Sequence, residues 1–469
     1  MSAYRVLAFA GVIALQGCAL SPEPSSAKLQ EQALSNARVP GAWSSPETAS
    51  QGVEPGWLAK VADPQLQAFV TEGLAYNADL RVAAARVEEA QAHVRIAGSQ
   101  LFPAVAVVGR GGAHKSSDET GLQGVIATAS WELDVWGRVR YGARASKDQL
   151  AASQADYEYA RQSLVATLAK AWFLATEATL QLDIATQAVS SSSALLELAQ
   201  KRATVGVGNE LDVASASASL QSYRDSVVQI ALARDQSLRA LELLLGRFPA
   251  AQISPSKEFH ALETHVPAGL PSELLERRPD VIAAERRVQT AFNLTQQARA
   301  ARLPQFSLGA SGSDISSDVF LLNDRNNPVW GIGGKVLAPI FTGGALQGKV
   351  EIATAEQQQA VAAYGGVALK AFDDVESALS SESALQRRQT LLTLAAEDAE
   401  RALGFAQKRY GVGSVDFRYV QQQQLAYYVA RMDLLHVQAE RHVQRVNLYL
   451  ALGGDFAESV RNLDSEALP

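Results

Sequence analysis

Residues 201–213 read KRATVGVGNELDV and residues 408–420 read KRYGVGSVDFRYV. On either side of each stretch lie long segments rich in Ala, Ser, Leu and Gln with helical character, and in both the pattern breaks at Gly-Val-Gly. Glycine reaches left-handed backbone conformations at little steric cost, so each break reads as a turn where one helix ends and another returns. The same break coming twice predicts an internal repeat, which constrains architecture before any single motif does.

The repeat extends outward from these turns over most of the chain. Asn77-Ala78-Asp79-Leu80, Arg86-Val87 and Phe102-Pro103 recur as Arg278-Pro279-Asp280-Val281, Arg287-Val288 and Leu303-Pro304, at a spacing of 280 minus 79, or 201. Lys201-Arg202, Gly206 and Leu245-Gly246 recur as Lys408-Arg409, Gly413 and Leu452-Gly453, at a spacing of 413 minus 206, or 207. The small length difference enters between the positions of Pro103 and Lys201. Residues 57–262 form the first repeat and 263–456 the second, ahead of a tail at 457–469.

Each repeat reads as helix, two strands, very long helix, break and returning helix. The first helix runs from about Asp63 to Gln100 with a break near Asn77, and Pro103 stops it. Hairpins follow at about 103–136 and 304–342. Val125, Ala127, Ala129, Trp131, Leu133 and Val135 alternate with Ile126, Thr128, Ser130, Glu132 and Asp134, a period of two with a nearly clean polar face. In the second repeat Phe306, Leu308 and Ala310 oppose Ser307, Gly309, Ser311 and Ser313, and Trp330, Ile332 and Val336 oppose Gly331, Gly333 and Lys335. Alternation with tryptophans near strand ends fits membrane β-strands, with Trp131 and Trp330 facing lipid. Taken alone, it fits a soluble hairpin with one buried face equally well.

From Arg138 to Thr204 there is no Pro and one Gly, Gly142, which predicts a rod of roughly 100 Å. Leu164, Leu168, Ala171, Ala175, Ala178, Leu182, Ala185 and Val189 recur in steps of four and three, a heptad seam that implies supercoiling against a neighbour. The small residues let helices pack closely on two sides, as staves of a tube. A second rod spans about Leu346–Tyr410, and shorter helices return over about Glu210–Leu245 and Phe417–Leu452, each closed by Gly. Four strands cannot close a barrel, and lipid tolerates no open edge. A trimer supplies twelve strands and completes the sheet.

At the amino terminus, Arg5 precedes an apolar run, Val6–Leu15, too short to span a membrane and suited to a signal peptide over 1–17. Leu15-Gln16-Gly17-Cys18 resembles a bacterial lipobox, which makes Cys18 a lipid anchor; the alternative is an ordinary cleavage site with an incidental cysteine. Cys18 is the only cysteine in 469 residues, so no intrachain disulfide forms. Residues 18–56 read as an extended tether rich in Ser, Pro, Ala, Gln and Glu. No later stretch is apolar enough for a membrane-spanning helix.

A formal charge of −7, from 42 basic and 49 acidic side chains, argues against nucleic-acid binding through a broad basic surface. His93, His114, His260, His265, His436 and His442 never fall four apart on one helix, no second thiolate exists, and no phosphate-binding glycine loop with its lysine occurs. No catalytic residue, metal site or soluble cofactor is expected, and the chain does not read as an enzyme.

Together these features resemble TolC-type outer-membrane efflux channels, in their NodT/OprM-like lipoprotein branch, over nearly the whole mature chain. The resemblance rests on Asn77-Ala78-Asp79-Leu80, Trp131-Glu132-Leu133-Asp134, Trp136-Gly137-Arg138, Pro339-Ile340-Phe341 with Gly343-Gly344, the paired glycine turns and, most specifically, Leu274-Leu275-Glu276-Arg277-Arg278-Pro279-Asp280-Val281. By this resemblance the last stretch opens a helix in an equatorial region, with a structural role expected for Pro279 in its first turn and Asp280 near the positive helix end.

The resemblance implies a mainly α fold with a transmembrane β-portion: a homotrimer whose 12-stranded outer-membrane barrel continues into a periplasmic α-helical barrel. It implies a passive exit duct for a periplasmic adaptor and an inner-membrane pump, with the resistance-nodulation-division class favoured by the lipoprotein branch. A type I secretion duct and a structural coiled-coil lipoprotein are the alternatives. By the same resemblance, Val205-Gly206-Val207 and Val412-Gly413-Ser414 are periplasmic tips that meet the adaptor, and Asp212 and Tyr410 match gate residues. The second tip departs from the family, since Arg418-Tyr419-Val420-Gln421-Gln422-Gln423 stands where Leu and Asp are usual and Gln422 replaces an acid. The expected gate pairs Arg418 with Asp212 or Glu210 of a neighbouring hairpin, while Tyr410 and Tyr419 narrow the opening. The alternative is that these are solvated turn charges.

Overall fold

The computed structural model describes residues 22–37, 39–44, 56–61, 63–110, 123–262, 268–316 and 329–454. Cys18, the signal segment and the 457–469 tail lie outside the described residues. Helices α1 (Ser26–Ala33), α2 (Trp57–Lys60), α3 (Pro64–Tyr76) and α4 (Ala78–Ser99) precede strands β1 (Ala104–Arg110) and β2 (Gln123–Leu133). The 67-residue α5 (Arg138–Thr204) then turns into the 35-residue α6 (Glu210–Leu244). The second half copies this order with α7 (Pro271–Arg277), α8 (Pro279–Ala300), β3 (Gln305–Ser316), β4 (Val329–Leu337), the 67-residue α9 (Ala345–Gly411) and the 35-residue α10 (Phe417–Ala451). The equal helix lengths place the whole difference in spacing between α4 and α5 and their copies. Half of it arises within the hairpin, since β2 and β4 end 337 minus 133, or 204, residues apart. The other half lies in the link from strand to long helix.

The motifs that mark the repeat are joints between helices. Asn77 accepts from Leu80 N at 3.1 Å, capping α4, and its amide donates to Leu244 O at 3.0 Å, satisfying the last turn of α6. At the equivalent place Arg278 donates to Ala451 O of α10 at 3.2 Å and pairs with Asp374 at 3.1 Å. Gly246 and Gly453 lie in the left-handed region, with φ +73° and +66°. A Cβ on Gly246 would come 2.9 Å from Tyr76 O, and one on Gly453 would come 3.2–3.3 Å from Arg277 and Arg278. The Leu-Gly pairs therefore both reverse the chain and admit the preceding helix joint.

Packing divides the chain into two compact units that cut across the repeats. One unit gathers the described residues of 22–37, 84–156 and 280–367, with all four strands in an antiparallel sheet of order β1-β2-β3-β4. The other gathers the described residues of 39–83, 157–279 and 368–454, with both glycine turns. In this second unit Trp172 is fully buried, edge-on to Phe69 at 5.4 Å, and donates to Asp63, whose carboxylate also caps α3.

Two expectations change. Residues 18–56 are not wholly an extended tether, because Ser26–Ala33 is helical with Leu29 and Leu34 buried, and α1 ends where a Cβ on Gly365 would meet Ala33 O at 2.7 Å. Further on, Trp43 is buried and donates to Gly269 O at 3.1 Å. Three widely spaced apolar side chains in a polar stretch dock the segment without any helical period. The heptad seam also shifts: Leu164, Leu168, Ala175 and Ala185 are buried, but Ala171, Ala178, Leu182 and Val189 are half-buried. Below Ala178 the buried stripe runs through Ile184, Ala188, Ser192, Leu195 and Ala199. Two adjacent stripes of small apolar residues compete there, and the one against Tyr428 and Leu435 of α10 is covered.

Candidate functional site

Strand pairing sorts the sheet into two unlike faces. Ala129 opposes Val105 and Ala310, Ala310 opposes Ile332, Trp131 opposes Leu308, and Gly312 opposes Trp330. Cross-strand partners share a face, so Val105, Val107, Val125, Ala127, Ala129, Trp131, Leu133, Phe306, Leu308, Ala310, Trp330, Ile332 and Val336 lie together with Gly109, Gly312 and Gly334, and Asp314 ends the face opposite Val125. The opposite face carries Thr128, Ser130, Glu132, Ser307, Ser311, Ser313 and Lys335, with Val108, Ile126 and Val329 toward one end of the sheet. The apolar face is largely solvent-exposed, with Val105 at 73% and Trp330 at 78%. Trp131 differs from Trp330: it is half-buried and its indole donates to Leu101 O at 3.0 Å. No helix among the described residues is long and apolar enough to cross a membrane.

Where β2 feeds α5, the Trp131–Arg138 motif is a capping device. Asp134 accepts from Val139 N at 2.9 Å and Arg140 N at 2.8 Å, placing its charge on the positive end of α5. Glu132 accepts from Arg138 at 2.9 Å, Trp136 donates to Pro304 O at 2.8 Å, and Gly137 takes φ +81° for the turn.

At the first tip, α5 ends in a tight reversal. Gly206 has φ +76° and donates to Ala203 O, while Val207 N and Gly208 N both donate to Arg202 O at 3.0 and 2.9 Å. Asn209 caps α6 by accepting from Asp212 N at 2.8 Å. At the second tip Gly413 has φ +78° and donates to Tyr410 O, Ser414 N donates to Arg409 O at 2.9 Å, and Asp416 caps α10 through Tyr419 N at 3.0 Å. Both turns leave aliphatic side chains in solvent, with Val205 71%, Val207 64% and Val412 81% exposed.

The expected gate residues come together within one chain only in part, with Asp212 acting on the Tyr410 hydroxyl. Arg418, Tyr419, Gln422 and Glu210 are exposed and Asp212 is half-exposed, and among the described residues Arg418 has no ion pair. Tyr410 is placed differently from the expectation: at 1% exposure it packs inside the hairpins with Leu195, Ala199, Leu403, Phe417 and Val420 rather than facing an opening. Its ring meets Phe417 edge-on at 5.5 Å, because two facing helices lined with Ala leave a hole of aromatic size. Burial, reinforced by the charge of Asp212, pushes its hydroxyl pKa up.

The residue the sequence reading passed over is Arg202, noticed only as a marker of the repeat. Its guanidinium stacks on Tyr410 with 4.7 Å to the ring centroid, donates to Tyr410 O at 2.9 Å and contacts Gly411 O at 3.5 Å, so it caps the end of α9 from the neighbouring hairpin. Gln421 adds a second link, donating to Ser215 O at 3.1 Å and Ser219 Oγ at 2.7 Å. The available signal was the cation pair Lys201-Arg202 at a helix end, repeated at the second tip as Lys408-Arg409.

The family described as Outer membrane efflux protein matches residues 70–247 and 270–454. Cation efflux system protein CusC of Escherichia coli O6:H1 is 29% identical over 98% of this chain and 100% of that protein. Outer membrane protein OprJ of Pseudomonas aeruginosa is 30% identical over 90% of this chain and 91% of that protein. The solved outer-membrane channel OprN aligns with a TM-score of 0.81 at 27% identity, covering 90% of this chain and 98% of the other. With the repeated strand-and-rod plan and these relatives, the chain belongs to the outer membrane efflux protein family, as an outer-membrane component of an efflux system with the TolC-like channel fold.

Proposed function

We propose that three copies form a passive exit duct, anchored by lipid on Cys18, that receives cargo from a periplasmic adaptor and an inner-membrane pump of the resistance-nodulation-division class. The carrying observation is the apolar face across β1–β4, whose outer strands keep unpaired edges among the described residues. Edges in lipid must be closed, and three four-stranded sheets close them as twelve strands with polar residues lining the lumen. The exposed valines of the two tips supply the adaptor-facing surface. The pump selects the cargo, since the duct presents a polar wall rather than a shaped pocket.

The test is purification from outer-membrane fractions. A trimer that dissociates on heating and conducts ions in planar bilayers is expected; a soluble monomer without conductance overturns the reading. Adaptor and pump are identified by crosslinking from residue 205 or 412 followed by mass spectrometry.

Closure of this duct rests on Arg418 of one copy meeting Asp212 or Glu210 of the next, with Tyr419 narrowing the opening. Exposed pairs are individually weak, so three of them hold a resting state that adaptor binding overcomes. Arg418→Ala and Asp212→Ala should each raise single-channel conductance of the trimer. Unchanged conductance in both variants removes the gate.

A further inference from the structure

The helical hairpins repeat with a spacing of 207, which maps Arg202 onto Arg409 and its acceptors, Tyr410 O and Gly411 O, onto Ala203 O and Thr204 O. Arg202 is half-buried and clasps the second tip of its own chain, whereas Arg409 is exposed and its guanidinium has no partner among the described residues. Along the same side of α9, Leu391 and Phe405 are 67% and 65% exposed. Their counterparts in α5, Ile184 and Leu198, are buried and partly buried against the second hairpin. The second hairpin thus carries the face that the first hairpin uses within the chain, and leaves it uncovered.

Resting on the trimer reading above, we infer that this face is covered by the first hairpin of a second copy, with Arg409 capping Ala203 O and Thr204 O of that copy as Arg202 caps Tyr410 O and Gly411 O. Six guanidinium clasps then ring the tips, three within chains and three between them. The two kinds are not equal. Ala203 stands where Tyr410 stacks under Arg202, so the clasp between copies has no aromatic ring beneath it. Ala214 stands where Gln421 donates, opposite Gln422 and Ala426 in place of Ser215 and Ser219, so the second hydrogen-bonded link is missing as well. The tips part between copies, and each chain's pair of hairpins moves together.

Two measurements on the full-length trimer test this. Arg409→Ala should raise single-channel conductance more than Arg202→Ala, which leaves the Gln421 link and the buried Tyr410 in place; Arg409→Lys, keeping charge without the fork, should fall between wild type and Arg409→Ala. Differently tagged Arg409→Cys and Thr204→Cys chains, co-expressed and treated with a short bismaleimide, should give a covalent dimer carrying both tags, absent when either is paired with wild type. A trimer that gives no two-tag dimer, or gives one while Arg409→Ala conducts as wild type, overturns the clasp and leaves the trimer standing. A chain that runs as a monomer before heating overturns both.

Discussion

The two tips share a backbone and differ in what fills it. Each follows a 67-residue helix, turns on a glycine with φ near +77° and restarts on a side-chain cap, Asn209 or Asp416. Inside that frame the first tip has Ala203 and Gly208 where the second has Tyr410 and Val415. The second tip is the bulky one, clasped by Arg202 over a buried aromatic; the first is lean, with two amides converging on one carbonyl oxygen. Duplication of a hairpin fixes the path of the chain, and divergence of a few side chains decides which contact surface stays closed.

The comparison breaks most sharply at Tyr410. Tyr410→Ala makes the second tip resemble the first and empties a site that is 1% exposed. A cost of about 3–5 kcal/mol is expected, as for other buried aromatics truncated to Ala, read as faster amide exchange and proteolysis across residues 408–420. Tyr410→Phe separates ring from hydroxyl. Among the described residues the buried hydroxyl has no partner within hydrogen-bond geometry, so its removal should leave stability unchanged or slightly raised. Equal losses in both variants would mean that the hydroxyl, not the ring, holds the tip.

The reverse exchange acts on the first tip. A Cβ on Gly208 would come 2.8 Å from Ala203 N and 2.9 Å from Arg202 C, both backbone atoms that cannot swing away. Gly208→Val, which copies Val415, should cost about 1–3 kcal/mol by overpacking and expose residues 203–209 to protease, leaving 410–416 as resistant as before. Were the valine accepted without loss, the two turns would be interchangeable and the crowding at Arg202 O irrelevant.

Much of this was legible in the sequence. Glycine turns, the two spacings and the period-two strands located every long helix and three of the four strands, because each signal is local, while β1 was placed only as the other half of a hairpin. The joints were legible only as motifs: that Asn77 and Arg278 close the ends of α6 and α10 requires knowing that residues 167 and 173 positions apart meet. Tyr410 was misplaced for the same reason. A tyrosine next to a turn looks like a surface residue until a facing helix is found to offer a hole lined by alanines. The docking of Leu29, Leu34 and Trp43 was hidden by composition, since three anchors in a polar stretch leave no period to detect.

Higher on the hairpins the comparison sharpens at position 442, where the second repeat buries an imidazole and the first has a half-exposed Asp235 paired with Arg234. His442 lies between Phe173 and Phe259, with both ring nitrogens near carbonyl oxygens, Gln438 O at 2.8 Å and His260 O at 2.9 Å. Burial lowers its pKa from the ordinary histidine value; the two carbonyls oppose that shift, and nearby Arg441 and Arg445 add to it. The unfolded chain therefore takes up its proton first as pH falls. Stability from this site is fully present above about pH 6.5, declines as pH falls below it and levels off under the folded-state value. Amide exchange over residues 257–262, which His442 holds through His260 O, should quicken between pH 7.5 and 5.5 after correction for intrinsic rates. His442→Gln should flatten that dependence; the same slope in the variant would place the titrating group elsewhere.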